Sequence, residues 1–209
     1  MTDRKRRPAR RAGAVALALT AAVLAGCSGG GGLSDAQENT ARFGDDGRIE
    51  VVVVESFTES YYDEDELSQQ IEQELDAYNS GGQAVENKGL TVSDGTARLT
   101  LSYVSSDDYT AFNGQEMYFG TVSGAQEAGY ELTSLLSAVS TQDPNKILAS
   151  KDLETLADSH IVIVTEPFHI ETPYDILYAS DNVMITAAAE ADVTGEVSVQ
   201  EPAMLILTQ

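Results

Sequence analysis

Six short apolar stretches crowd the final quarter of the chain, at residues 161–165, 168–172, 175–179, 183–187, 195–199 and 204–208, separated by proline, Asp-Asn and glycine signals. Segments of that length are strand-sized and too short for independent helices, so the C-terminal part of the chain is expected to build a sheet. Upstream, Ile49-Glu50-Val51-Val52-Val53-Val54 is a β-branched run that reads as a buried first strand. Residues 90–92 and 97–103 flank Ser93-Asp94-Gly95-Thr96, and Asp-Gly is a favoured pair for a tight hairpin turn. Ala97, Leu99, Leu101 and Tyr103 share one face of that second strand and Arg98, Thr100 and Ser102 the other, as in a half-buried antiparallel pair.

Helices alternate with these strands. Leu67, Ile71, Leu75 and Tyr78 make one apolar stripe, with Ser60 and Asp63 spaced as a capping box and Asn79-Ser80-Gly81 as the stop. A short helix over 106–113 closes at Gly114, a strand follows at 117–122, and 124–140 is compatible with a helix weakened by Gly124 and Gly129. Asp143-Pro144-Asn145 forms a turn, after which Ser150 is placed to cap a helix carrying Leu153 and Leu156. The expected class is α+β, an antiparallel or mixed β-sheet with about three helices packed mainly on one face.

The only cysteine, Cys27, ends the tetrapeptide Leu24-Ala25-Gly26-Cys27, after a basic block (Arg4-Lys5-Arg6-Arg7 and Arg10-Arg11) and an uncharged, alanine-rich run over 12–24. That order is the order of a secretory signal peptide. The apolar run is shorter than the roughly 17 to 25 residues a spanning helix needs, and Ser28 and four glycines follow it at once. Leu-Ala-Gly-Cys resembles the lipobox of bacterial lipoproteins, and the resemblance implies a diacylglyceryl (palmitate-type) group on Cys27 and cleavage before it. Two acyl chains suffice for stable anchoring, at about 0.8 kcal/mol per buried methylene. Arg10-Arg11 also stands where a paired-arginine export signal would, without the residues that complete that motif. The expected location is therefore the outer, extracytoplasmic face of the cell membrane, reached by the general secretory route.

The expected organisation is a signal peptide over 1–26, a lipidated cysteine with a flexible tether over 27–47, and a single acidic domain over 48–209. Removing residues 1–26 takes six of the twelve basic residues and one of the thirty-four acidic ones, leaving six basic against thirty-three acidic and a formal charge of −27. Such a charge excludes nucleic acid as a partner and opposes adhesion to anionic head groups. With no second cysteine, no disulfide can staple the domain, and about 160 residues are enough for one core.

Catalytic and metal motifs are missing. Asp63-Glu64-Asp65-Glu66 stands near Tyr61 and Tyr62, but successive helical residues point about 100° apart, and acids in a first turn complement the helix dipole. Neither the spacing of a calcium loop nor H-E-x-x-H occurs. His160 and His169, nine residues apart with Glu166 and Glu171 nearby, would face each other only if 160–171 formed a hairpin about Glu166-Pro167. There is no G-x-S-x-G, P-loop or dinucleotide-binding glycine pattern. No catalytic, metal-ligating or cofactor-binding residue is therefore assigned, Cys27 is the one site residue, and no cofactor is expected. Weak cation binding remains compatible with so acidic a surface. Tyr61, Tyr62, Tyr109, Tyr118, Tyr174 and Tyr178 could present a recognition surface.

Residues 176–183 (Ile-Leu-Tyr-Ala-Ser-Asp-Asn-Val), with the apolar strand at 204–207, resemble small bacterial lipoproteins of unassigned function, a resemblance that brings no activity with it. The expected function is a lipid-anchored, non-catalytic binding or accessory module for a protein or other envelope component. The alternative is an envelope hydrolase using paired carboxylates.

Overall fold

A computed structural model describes residues 33–209. The Leu24-Ala25-Gly26-Cys27 motif, the expected signal peptide over 1–26 and the first part of the expected tether lie outside the described residues. In chain order the elements are β1 (Thr40–Phe43), β2 (Ile49–Ser56), α1 (Glu64–Tyr78), β3 (Val85–Ser93), β4 (Thr96–Tyr103), α2 (Ser106–Asn113), β5 (Met117–Thr121), α3 (Val122–Glu127), α4 (Ser150–Thr155), β6 (His160–Val164), β7 (His169–Glu171), β8 (Ile176–Ala179), β9 (Val183–Ala187), β10 (Glu190–Val193) and β11 (Ala203–Leu207).

The fold is α+β with sheets dominant, and it holds two sheets rather than one. The larger has the order β3-β4-β2-β1-β7-β10-β9, and the smaller β5-β6-β11-β8. Every pairing is antiparallel except β1 with β7. Alternation along β6 and β11 explains how the sheets stack. Val162, Val164, Ala203, Leu205 and Leu207 join Ala41, Val51, Leu101, Ile170 and Ala191 of the larger sheet in one core, which Ile71 and Leu75 of α1 and Tyr109 of α2 complete. Ile161, Ile163, Met204 and Ile206 point the other way, into a second cluster with Val122, Ala125, Leu132, Leu135, Leu148 and Leu153. The smaller sheet is thus a middle layer, apolar on both faces, between the larger sheet and a cap built from α3, α4 and the turns joining them.

Local signals explain the well-read elements. Asp94 and Gly95 both take positive φ (51° and 72°), as a two-residue type I′ turn requires. Gly114 ends α2 in the left-handed conformation (φ 70°), and Ser105 begins it by accepting the Asp108 amide on Oγ (3.2 Å). The cap of α1 is Asp63, not Ser60: its Oδ1 accepts the Glu66 amide at 3.0 Å. Ala149, not Ser150, holds the cap position of α4, where the Asp152 carboxylate accepts the Ala149 amide (2.9 Å).

Two further expectations are corrected. Residues 33–47 are not a tether. Leu33–Asp35 form a 3-10 turn that buries Leu33 against β2 and β4, and β1 is an interior strand paired with β2 on one side and β7 on the other. The glycines and aspartates at 44–47 that gave the stretch its linker-like composition make the β1–β2 turn, closed by the Gly44 amide donating to the Arg48 carbonyl at 2.8 Å. Residues 195–199 are irregular, and the strand lies instead at β10, whose Glu190 and Asp192 alternate with Ala191 on the core side. Four residues whose only apolar side chains are Ala191 and Val193 are too short a pattern to announce a strand.

Candidate functional site on the polar face of the larger sheet

The two histidines do not meet. His160 begins β6 in the smaller sheet, its ring stacked between Phe119 and Tyr174 at centroid distances of 5.7 and 4.8 Å. His169 lies in β7 of the larger sheet, 8% exposed. Between them Glu166 turns into the core, where the Tyr109 hydroxyl donates to its Oε2. Burial raises the Glu166 carboxyl, and the Tyr109 hydrogen bond only partly offsets this. Tyr109 is itself held neutral, its phenol pushed far up by burial and then by Glu166.

Asp63 caps α1, and Glu64, Asp65 and Glu66 are exposed around its first turn, which is the capping arrangement and does not converge on an ion. The tyrosines divide. Tyr109 and Tyr178 are core residues, Tyr118 and Tyr174 are partly buried, and Tyr61 and Tyr62 stand out at 74% and 44% exposure. Tyr62 stacks on Phe57 and meets the edge of Tyr61, both at 4.9 Å between centroids.

A constellation that sequence spacing does not suggest forms on the sheet face turned away from the core. Ala41, Ile170 and Ala191 point inward, so their neighbours point outward: Thr40 stands opposite His169, and His169 opposite Asp192, across β1, β7 and β10. His169 Nδ1 lies 2.6 Å from Asp192 Oδ1. Glu38, two residues before β1, completes the group, and one donor atom from each of Glu38, His169 and Asp192 falls within 4.8 Å of the others.

The backbone around Glu38 is fixed from several sides. Arg98 Nε donates to the Ala36 carbonyl (2.9 Å), the Val54 amide to Asn39 Oδ1 (2.8 Å), the His169 amide to the Asn39 carbonyl (2.9 Å), and Thr40 Oγ1 to the Glu38 carbonyl (3.0 Å). The Glu38 carboxyl is raised by burial first and by Asp192 second, with His169 opposing. One register step along the same face, Glu50, Arg42, Glu171 and Glu190 form a second row, with Arg42 Nε 2.5 Å from Glu171 Oε2. The face is net acidic, and one imidazole and two carboxylates converge on it, a donor set suited to a proton or a cation.

A cavity of about 370 Å³ lies where α1 and α2 approach, lined by Tyr78, Gly81, Gly82, Gln83, Ala84, Val104 and Asp108. Its one carboxylate, Asp108, already accepts the Ser105 hydroxyl at 2.6 Å, so it offers no carboxylate pair. No protein-family model matches this chain, and no curated protein and no solved structure is significantly similar to it.

Proposed function

We propose that this chain is a lipid-anchored module of the cell envelope, held at the extracytoplasmic face of the membrane by Cys27 and acting by binding. The observation that carries the reading is Leu24-Ala25-Gly26-Cys27 after a basic block and an apolar run. Among the described residues no helix is long and apolar enough to cross a membrane, so a covalent lipid would supply the attachment. Ser28 and four glycines separate Cys27 from the buried Leu33, and six Cα steps span at most about 20 Å. A domain so tethered stands close to the bilayer, with an acidic surface that its own charge keeps from anionic head groups. Replacing Cys27 with serine is expected to move the protein from the membrane fraction to the medium, or to leave the precursor unprocessed. Unchanged membrane retention with an unchanged mass would overturn the anchor.

For recognition, the exposed Tyr61 and Tyr62 form an aromatic cluster with the half-buried Phe57, beside Glu59 and the acids that open α1. Rings with an acidic rim suit lysine and arginine side chains, which gain both charge pairing and cation–π contact. Exchanging Tyr61 and Tyr62 together for alanine is expected to leave the melting temperature nearly unchanged while crosslinking to basic envelope partners falls several-fold. Equal crosslinking by both proteins would remove this surface from the account.

An envelope hydrolase would draw instead on Glu38 and Asp192, whose converging carboxyls include one raised by burial, as a general acid requires. That reading predicts hydrolysis of an envelope glycan which Glu38→Gln abolishes.

A further inference from the structure

We propose that Glu38, His169 and Asp192 form a binding site for a divalent first-row transition ion of the zinc class. The donor set is the first argument. One imidazole nitrogen and two carboxylate oxygens within 4.8 Å of one another need small side-chain shifts to surround an ion at the usual bond lengths of about 2.0 to 2.2 Å. An imidazole among the ligands favours zinc and its neighbours over magnesium and calcium, which prefer oxygen alone.

Burial is the second argument. His169 is 8% exposed and its Nε2 is buried without a hydrogen-bond partner, so the ring is packed firmly yet bonded at Nδ1 alone. Glu38 and Asp192 are by contrast half-buried, which leaves a side open to solvent where water or an exogenous ligand can take a fourth position.

Preorganisation and field are the third. The ligands come from three segments held in place: β7, β10 and the segment leading into β1, the last fixed by the hydrogen bonds of Ala36, Asn39 and Thr40. The neighbouring row of Glu50, Glu171 and Glu190 outnumbers its one cation, Arg42, so the face attracts positive charge. A bound ion would staple the N-terminal segment of the domain to the middle of the sheet.

The test uses the full chain, purified in detergent and stripped with a chelator, so that it does not depend on the fate of the lipid. Titration with zinc is expected to show one saturable equivalent per chain at micromolar concentration, with a rise in melting temperature that equal magnesium or calcium does not reproduce. Glu38→Gln and Asp192→Asn, both half-exposed and isosteric, are each expected to weaken that equivalent at least about tenfold, since losing even a group that only orients a metal ligand costs about that much. Glu64→Gln on α1 should leave it unchanged. The absence of a saturable equivalent, or zinc uptake indifferent to Glu38→Gln and Asp192→Asn, overturns the proposal and leaves only diffuse attraction to an acidic surface.

Discussion

Leu205→Ala is expected to lower the free energy of unfolding by about 2 to 5 kcal/mol, the range for removing a buried leucine without collapse of the site. Leu205 is fully buried in β11, one of the two interior strands of the smaller sheet, opposite Val162 of β6 and Ala179 of β8. Its side chain fills the core shared by the two sheets, while Met204 and Ile206 on either side fill the second cluster. No helix or loop can slide into the gap, because both neighbouring strands are hydrogen-bonded in register. For a chain of this size each kcal/mol corresponds to roughly 2 to 4 °C, so thermal unfolding should shift by about 5 to 20 °C. Met184→Ala is the control: Met184 lies on the edge strand β9, 52% exposed, and its loss should cost less than about 0.5 kcal/mol. Similar costs at the two positions would contradict the middle-layer placement of the smaller sheet.

The second large effect concerns Glu166 and Tyr109. Tyr109→Phe removes the hydroxyl that donates to Glu166 and leaves a buried carboxyl without that partner, at a cost of about 1 to 3 kcal/mol. Glu166→Gln acts in the opposite sense wherever Glu166 is ionised in the folded state, because the amide oxygen still accepts from Tyr109 and the buried charge is gone. The pH dependence follows from the sign of the shift. Burial raises the Glu166 carboxyl above its ordinary value of 4.5, so between the unfolded and folded values the native state binds the extra proton. The contribution of Glu166 to stability is therefore fully present on the acid side of that window and is lost as pH rises through it. Urea denaturation of Glu166→Gln should show greater stability than the parent above the window and little difference below it. A parent profile that gains stability through this range relative to the variant would mean that Glu166 is held as a carboxylate.

The elements that could be read from sequence are those whose cause is local. The Asp94-Gly95 turn, the glycine stop of α2 and the stripe of α1 each need only neighbours within a few residues, and each stands where its signal lies. β1 and β10 escape such a reading for one shared reason. Each has four residues with few apolar side chains, and each exists because two partner strands hold it, not because its own sequence prefers extension. The aspartates and glycines that close the β1–β2 turn have the composition of a linker, and only the parallel pairing of β1 with β7 shows that they belong to the domain. The same pairing explains why the candidate site was illegible. Glu38, His169 and Asp192 lie on segments remote in sequence, and a non-local crossover brings them together. His169 invited attention as one of two histidines, but its partners are neither His160 nor Glu166, because those residues belong to the smaller sheet and to the core.

Mass spectrometry of the N-terminal tryptic peptide from the membrane fraction is the most direct test of Cys27 as the anchor. Arg42 is the first basic residue after Cys27, so trypsin should release residues 27–42. The expected species begins at Cys27 and carries a diacylglyceryl group on its sulfur. A peptide over residues 12–42 with a free Cys27 thiol, or any mature N-terminus other than Cys27, would contradict a lipid-anchored protein.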